Sequence, residues 1–294
     1  MRGIGVTCYI CFLYWKSYPL VPFLVLWYDT ARTNKEDDTM ITNLHTHTPR
    51  CRHARGAERE YVEAAIAAGI QKLGFSDHTP YWFPGDYYSR FRMFPDQLED
   101  YVSSVLGCRS EYAGRIDIRL GLEAEFYPSF FPELMARLKD TPVEYLLLGQ
   151  HYIGDEIGDQ YSGWETADVQ HLRRYCNQVA DAMYTGLFTY LAHPDLIHFV
   201  GDTQVYRDHV RTICRASKDS GVPLEWNFLG MRAGRHYPNM EFWHVAAEEG
   251  CDVVFGCDAH GPEEMNPDPW QQQAKEIVQQ LGMHLIEDPV IRKI

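Results

Sequence analysis

Residues 41–47 read ITNLHTH, a short run of apolar and β-branched residues that ends in two histidines. Such a run is typical of a β-strand, and His45 and His47 stand two residues apart, so their side chains point to the same face. Six later segments repeat this pattern of a short apolar run followed by polar side chains: QKLGFSDH (71–78), IDIRLGLEAEF (116–126), EYLLLGQHY (144–152), FTYLAHPD (188–195), VPLEWN (222–227) and DVVFGCDAH (252–260). The repetition predicts seven strands with functional groups at their ends.

Longer stretches of helical periodicity separate these strands. Residues 58–68 are followed by Gly69 and residues 164–185 by Gly186, and glycine commonly ends a helix in the left-handed conformation. Alternation of strands and helices predicts an α/β fold with a mainly parallel sheet. If the strands close into a barrel, their polar ends converge on its C-terminal face, where barrel active sites lie.

Net charge limits the classes of partner. The chain carries a formal charge of -14 and has a pI near 5.3. Nucleic acids and anionic membrane surfaces are bound by clustered Lys and Arg, so neither is an expected partner. An anionic substrate must instead be held by metal ions or by a few arginines. The eight cysteines are scattered along a chain of 294 residues, which favours a reducing cytoplasm over a secreted disulfide framework.

The first 39 residues differ from the rest. Residues 8–27 are apolar enough to suggest a membrane span, but Lys16, Pro19 and Pro22 interrupt them. A polar stretch follows, and Met40 stands directly before the first predicted strand. We therefore expect Met40 to be the natural start, with residues 1–39 an extension outside the fold and residues 40–294 the functional domain. A membrane anchor is the alternative.

Seven of the thirteen histidines fall at or just after predicted strand ends, together with two carboxylates. A single histidine there is usually structural, but burying so many ionisable groups together is very costly unless cations compensate. Imidazole and carboxylate ligands suit zinc, manganese or iron. The pattern predicts a multinuclear metal site built from His45, His47, His53, His78, His151, His193, Asp258, His260 and either Glu123 or Glu125, which point to the same face of a strand and are not separated by spacing.

The order of these motifs carries a family resemblance. The motifs are His45-Thr46-His47 with His53, Ser76-Asp77-His78, Gly121-Leu122-Glu123, Gly149-Gln150-His151, Ala192-His193-Pro194-Asp195 and Gly256-Cys257-Asp258-Ala259-His260. Taken together they resemble the PHP (polymerase and histidinol phosphatase) superfamily from about Met40 to the C-terminus, and most closely its histidinol-phosphate phosphatase branch.

The resemblance implies a distorted, TIM-like seven-stranded (β/α) barrel with three divalent metal ions at the C-terminal face of the strands. One ion would be held by His45, His47, Glu123 and Asp258; a second by Glu123, His151 and His193; and a third by His53, His78 and His260. Glu123 would bridge two ions, and it and Asp258 are the expected catalytic carboxylates.

The implied reaction is hydrolysis of L-histidinol phosphate in histidine biosynthesis. Metal ions would lower the pKa of water toward neutrality and neutralise the charge on the phosphate oxygens. Asp195 is a candidate proton donor to the leaving group, or alternatively a residue that orients a ligand histidine. Candidate phosphate-binding residues are Arg232, Arg235 and Arg92.

Several alternatives remain open from sequence. The aromatic loop at residues 79–95 either covers the mouth of the site or simply packs against the barrel rim. The substrate could be another small organic phosphate. A nuclease is disfavoured by the acidic balance, and a noncatalytic metal-binding protein is disfavoured by the complete set of ligands. The sequence predicts no oligomeric state.

Overall fold

Eight parallel strands follow one another in chain order across a single sheet. The computed structural model describes residues 40–158 and 160–294. The strands are β1 (Thr42–Asn43), β2 (Lys72–Phe75), β3 (Asp117–Ala124), β4 (Tyr145–Leu148), β5 (Phe188–Leu191), β6 (Leu224–Asn227), β7 (Asp252–Gly256) and β8 (His284–Leu285). The sheet curls into a half-barrel of the TIM-like α/β type. This confirms the α/β class and parallel sheet predicted from the alternation, and the TIM-like architecture implied by the family resemblance. The expectations for residues 1–39 lie outside the described residues.

Helices connect the strands and cover the outer face of the sheet. They are α1 (Glu58–Ala67), α2 (Leu98–Glu111), α3 (Phe131–Leu138), α4 (Val169–Tyr184), α5 (Thr203–Ser220), α6 (Phe228–Arg232), α7 (Met240–Glu248) and α8 (Trp270–Gln280). Helix α4 begins later than residue 164, the predicted start. Asp168 caps it by accepting a hydrogen bond from the Gln170 amide, while Thr166 pairs in parallel with Phe199. No helix of the described part is long and apolar enough to span a membrane.

Helix α5 illustrates why these segments are helical. The Asp202 side chain accepts a hydrogen bond from the Val205 amide at its start, and Gly221 ends it with a φ of 62°. Its buried side chains recur at the spacing of one helical face: Tyr206, Val210, Ile213, Cys214 and Ser217. Local capping signals and periodicity therefore agree with the packing.

The prediction of seven strands is wrong by one. Strand β8 has two residues, paired as Asp252 with His284 and Val253 with Leu285, and is too short to give a periodic signal. It lies at the beginning of β7. Beyond the other end of β7, Thr46 and Ala259 form a parallel bridge. The extensions of β1 and β7 thus meet at the C-terminal edge, which brings the first and last histidine motifs together.

A second apolar cluster fills the inner face of the sheet. It contains Leu44, Tyr145, Leu147, Tyr190 and Val254. The Tyr145 hydroxyl donates a hydrogen bond to the Leu44 carbonyl at 2.8 Å. Its ring lies against β3 where Gly121 has no side chain, and a Cβ at that position would overlap the ring. Gly121 is therefore required by the close approach of Tyr145.

We predict that Gly121→Ala destabilises the fold by about 1–3 kcal/mol, because the added methyl group overpacks the inner face. Urea unfolding followed by circular dichroism measures the free energy of unfolding. The matched control is Gly107→Ala in helix α2, where nothing lies within 4 Å of the new Cβ. This control should raise stability by about 0.5–1 kcal/mol. Equal stabilities of the two variants would contradict the assignment.

Candidate metal centre

The C-terminal ends of seven strands converge on one cavity of about 480 Å³. All nine predicted ligands lie at this edge of the sheet: His45, His47 and His53 after β1, His78 after β2, Glu123 in β3, His151 after β4, His193 after β5, and Asp258 and His260 after β7. Parallel pairing in chain order explains the convergence, since it puts every strand end at the same edge.

Four of these side chains approach one another closely, and the ligand atoms of His45, His47 and Glu123 all lie within 4.8 Å of one another. His45 Nε2 lies 3.6 Å from Glu123 Oε2 and 3.5 Å from Asp258 Oδ1. His47 Nε2 lies 3.6 Å and 3.1 Å from the same two oxygens. A tetrahedral ion with bonds of about 2.0–2.1 Å has ligand atoms about 3.4 Å apart. The spacing therefore suits one divalent cation.

Unsatisfied polar atoms in this group support the same conclusion. His45 Nε2, His47 Nε2 and Glu123 Oε2 are buried and have no hydrogen-bond partner among the described residues. Buried polar atoms nearly always have partners, and each one left without a partner costs free energy. A bound cation would satisfy all three at once.

The second carboxylate oxygen of Glu123 faces a different group. Oε1 lies 2.8 Å from His193 Nε2 and 3.9 Å from His151 Nε2. The two oxygens of Glu123 therefore point to two sets of imidazoles. This arrangement could bridge two cations.

The remaining histidines form a more exposed group. His53 Nε2 lies 2.9 Å from His260 Nε2, and the rings of His53 and His78 are 5.3 Å apart. His78 Nδ1 also lies 2.9 Å from Glu123 Oε2, without the geometry of a hydrogen bond, so this ring contacts both the exposed group and the central one. The group could hold a further cation at the mouth of the cavity.

The two central carboxylates are held in their charged form. Burial by itself would raise the pKa of Glu123, but the surrounding imidazoles, led by His78 and His151, hold that pKa well below its ordinary value. Burial likewise opposes ionisation of Asp258, and His45 and His47 hold its pKa well below the usual range. Two buried negative charges therefore face the cavity.

The backbone is strained at two candidate ligands. His193 and Asp258 have φ values of 29° and 46°, a region that favours glycine. Such conformations cost about 1–3 kcal/mol and persist only where surrounding contacts impose them. Each residue lies two positions after the end of a strand; His193 turns Nε2 toward Glu123, and Asp258 turns Oδ1 toward His45 and His47.

Buried carboxylates orient two of the histidines, a feature that sequence analysis missed. His45 Nδ1 lies 2.8 Å from Glu225 Oε1, and His151 Nδ1 lies 2.9 Å from Glu125 Oε1. Metal-binding histidines usually donate their second N–H to such an acceptor, which fixes the ring and leaves the other nitrogen for the metal. The sequence did contain a signal for Glu125: it follows Glu123 at a spacing of two residues, so both side chains point to the same face of the strand.

Two further contacts extend this outer layer. Asp77 Oδ1 lies 3.4 Å from His47 Nδ1. The Asn227 side-chain amide donates to Glu225 Oε2 at 2.8 Å and to Asp258 Oδ2 at 3.0 Å. A single polar layer thus links strands β6 and β7 beneath the cavity.

Asp195 has a different position from the one predicted. It does not line the cavity, and Oδ2 accepts hydrogen bonds from the Asn239 amide and from Trp243 Nε1. Burial raises its pKa to about 6. Among the described residues, His193 Nδ1 has no hydrogen-bond partner, so Asp195 does not orient that ring either. These contacts support neither predicted role; they anchor the start of helix α7.

The three arginines that were predicted to bind phosphate do not lie together at the cavity. Arg92 is 1% exposed and forms ion pairs with Glu125 and Glu156, so its guanidinium does not reach the cavity. Arg232 Nη2 lies 3.1 Å from Glu264 Oε2 and is likewise absent from the lining. A phosphate-binding role is therefore not supported for Arg92 or Arg232.

Arg235 does line the cavity, and its Nη1 donates to the Tyr237 hydroxyl at 2.8 Å. Arg55, which sequence analysis did not single out, lines it too and pairs with Glu263. The sequence signal that could have identified Arg55 is its position two residues after the candidate ligand His53.

Aromatic side chains form much of the remaining wall. They are Phe91, Tyr152, Tyr161, Trp164 and Tyr237. Phe91 comes from the aromatic loop at residues 79–95, whose Tyr81 and Met93 are buried in the main core. The loop therefore packs into the core and contributes the Phe91 side chain to the cavity wall. A wall of this kind suits a flat organic group next to a charged one.

The PHP domain family matches residues 43–228 of the chain. The chain belongs to the PHP family. The region of the match includes seven of the nine candidate ligands, and Asp258 and His260 lie beyond it.

Three proteins similar to this chain are named as histidinol phosphatases. The chain is 35% identical over 238 residues to "Probable histidinol-phosphatase" of Deinococcus radiodurans, covering 77% of this chain and 89% of that one. It is 24% identical over 249 residues to "Histidinol-phosphatase" of Bacillus subtilis, covering 74% and 92%. The fold is similar to that of the Lactococcus lactis histidinol phosphate phosphatase crystallised with zinc, L-histidinol and phosphate, with a TM-score of 0.64 at 20% identity, covering 84% and 96%.

We predict that Gly149→Ala weakens metal binding without unfolding the protein. A Cβ at Gly149 would overlap the carboxylate of Glu123 and force it away from the imidazoles. Metal content measured by mass spectrometry should fall, while the far-ultraviolet circular dichroism spectrum stays unchanged. Gly158→Ala is the matched control, since nothing lies within 4 Å of its new Cβ. Unchanged metal content in Gly149→Ala would argue against a central role for Glu123.

Proposed function

We propose that this chain is a metal-dependent phosphomonoester hydrolase that converts L-histidinol phosphate and water to L-histidinol and phosphate. The observation that carries the proposal is the buried group of His45, His47, Glu123 and Asp258, in which each histidine Nε2 lies 3.1–3.6 Å from a carboxylate oxygen of Glu123 and of Asp258, and both carboxylates line the cavity. The proposed substrate is taken from the names of two similar proteins, the "Probable histidinol-phosphatase" of Deinococcus radiodurans and the "Histidinol-phosphatase" of Bacillus subtilis.

Three divalent ions are part of the proposal. The residues that would hold them are the three sets implied by the family resemblance, with Glu123 shared between two of them. The unpartnered atoms of His45, His47 and Glu123 and the ionised carboxylates of Glu123 and Asp258 support the first of these sets. Zinc, manganese and iron all suit mixed imidazole and carboxylate ligands. When bound, such ions supply a nucleophile at neutral pH and neutralise charge on the phosphoryl group.

The chain's own residues have defined tasks in this proposal. Glu123 and Asp258 provide the negative charge that retains the cations. Arg235 and Arg55 supply fixed positive charge at the cavity wall, where they would bind the nonbridging oxygens of the phosphate. The aromatic wall would accommodate the imidazole of the substrate and exclude water from it.

Phosphate release from a panel of substrates tests the proposed function. We expect the purified, metal-loaded protein to give a higher kcat/KM with histidinol phosphate than with sugar phosphates or nucleotides, because the cavity combines cations with an aromatic wall. If several other esters were hydrolysed at least as efficiently, the substrate would be wrong while the phosphatase class survived.

Two further variants, one in strand β7 and one just beyond it, provide a test of the proposed centre and its control. Asp258→Asn should lower kcat by more than about 100-fold, since loss of a ligand should exceed the outer-shell effects typical of metal sites. Asp252→Asn, at the opposite end of the strand and partly exposed, should retain activity. Full activity and metal content in Asp258→Asn would reject the proposed centre.

We also predict that Arg235→Ala raises KM by roughly 10- to 100-fold, because one charged hydrogen bond to phosphate is lost in both the ground and transition states. Steady-state kinetics with histidinol phosphate measures the effect. Arg232→Ala is the matched control: its side chain is directed to Glu264, so KM should change little. A larger effect of Arg232→Ala than of Arg235→Ala would reverse this assignment.

A further inference from the structure

Arg92 is one of the largest fully buried side chains of the described residues, and it is charged. Burying an arginine is costly unless its N–H groups find acceptors. Two carboxylates meet that need: Glu125, bound through both of its oxygens at 2.9 Å and 3.0 Å, and Glu156, bound at 2.6 Å and 3.0 Å. The Thr79 carbonyl accepts a further hydrogen bond at 2.8 Å.

One of these partners leads directly to the candidate metal centre. Glu125 Oε1 accepts from Arg92 Nη2 at 2.9 Å and lies 2.9 Å from His151 Nδ1. Because Arg92 binds both oxygens of Glu125, the plane of that carboxylate is fixed. The carboxylate then fixes the ring of His151 in turn.

This orientation has a chemical consequence. With Glu125 as acceptor, His151 Nδ1 carries the ring proton, so Nε2 keeps its lone pair. Nε2 lies 3.9 Å from Glu123 Oε1, on the side where a cation would be shared. Without a fixed Glu125, the ring could rotate or adopt the other tautomer, and neither state presents Nε2 correctly.

The sequence position of Arg92 adds a second link. Its neighbour Phe91 packs edge-on against His151 and His78, with ring centroids 5.5 Å and 5.1 Å apart. Arg92 therefore attaches the aromatic loop at residues 79–95 to the same histidine that Glu125 orients. Loop and ligand are held by one side chain.

We propose that Arg92 is a positioning residue of the metal centre, which acts through Glu125 to hold His151 in the orientation that binds a cation. The inference rests on the proposed metal-dependent function. This positioning role replaces the phosphate-binding role that was expected for Arg92 from sequence. It also accounts for the burial of the charged guanidinium.

The test is the Zn²⁺ affinity of the full chain, measured by competition with a chromophoric chelator. His151→Ala first identifies which binding step involves this histidine. Arg92→Lys keeps the charge but cannot bind both oxygens of Glu125, and Glu125→Gln removes the acceptor charge. Each should weaken that step by about 10- to 100-fold. Circular dichroism verifies that the variants are folded.

Glu156→Gln is the matched control. It removes the other carboxylate from the same buried arginine, so it disturbs packing to a similar degree, but Glu156 does not contact His151. Its Zn²⁺ affinity should stay close to that of the unaltered chain. An equal loss in Glu156→Gln would overturn the proposal, because general damage to the buried ion pairs would then explain every effect. If Arg92→Lys does not fold, the comparison of Glu125→Gln with Glu156→Gln still decides whether the proposal holds.

The double variant Arg92→Lys/Glu125→Gln tests whether Arg92 acts through Glu125. We expect it to match Glu125→Gln within about twofold, since the second change removes nothing further. Losses that multiply, or unchanged affinity in Arg92→Lys, would overturn the proposal. Failure of the unaltered chain to bind Zn²⁺ or release phosphate would instead reject the proposed function itself.

Discussion

The candidate metal centre is arranged around one buried carboxylate, that of Glu123. Glu123 is 1% exposed, and its two oxygens face imidazoles that follow strands β1, β2, β4 and β5. A charge in that position is tolerated only where opposite charge or donors surround it. The curled parallel sheet provides this, because each strand end delivers a side chain to the same point. Cations are the compensation that best suits the geometry.

Around Glu123 lies an outer layer that the nine predicted ligands did not include. Glu225, Glu125 and Asp77 each face the Nδ1 atom of a histidine whose Nε2 is directed to the centre. These carboxylates add negative charge to an already acidic site. Arg92 offsets part of it from within the protein, which explains why a fully buried arginine lies close to a candidate metal centre.

Two close approaches show how the backbone makes room for this chemistry. A Cβ at Gly149 would overlap Glu123, and a Cβ at Gly256 would overlap Glu225. Both glycines belong to the motifs that carry the family resemblance, so they are as much part of the centre as the side chains beside them. His193 and Asp258, which belong to the same set of motifs, have positive φ values.

Local periodicity was enough to predict the α/β class, and residues two apart in a strand were enough to predict polar side chains at the strand ends, whereas the choice of Glu123 over Glu125 came from the family resemblance. The sequence could not determine what Asp195 and Arg92 contact, since their partners Trp243 and Glu156 lie 48 and 64 residues away. Nor could it detect the two-residue strand β8. Long-range packing, and not local pattern, sets which charged side chains face the cavity and which are buried behind it, so these positions became visible in the folded chain alone.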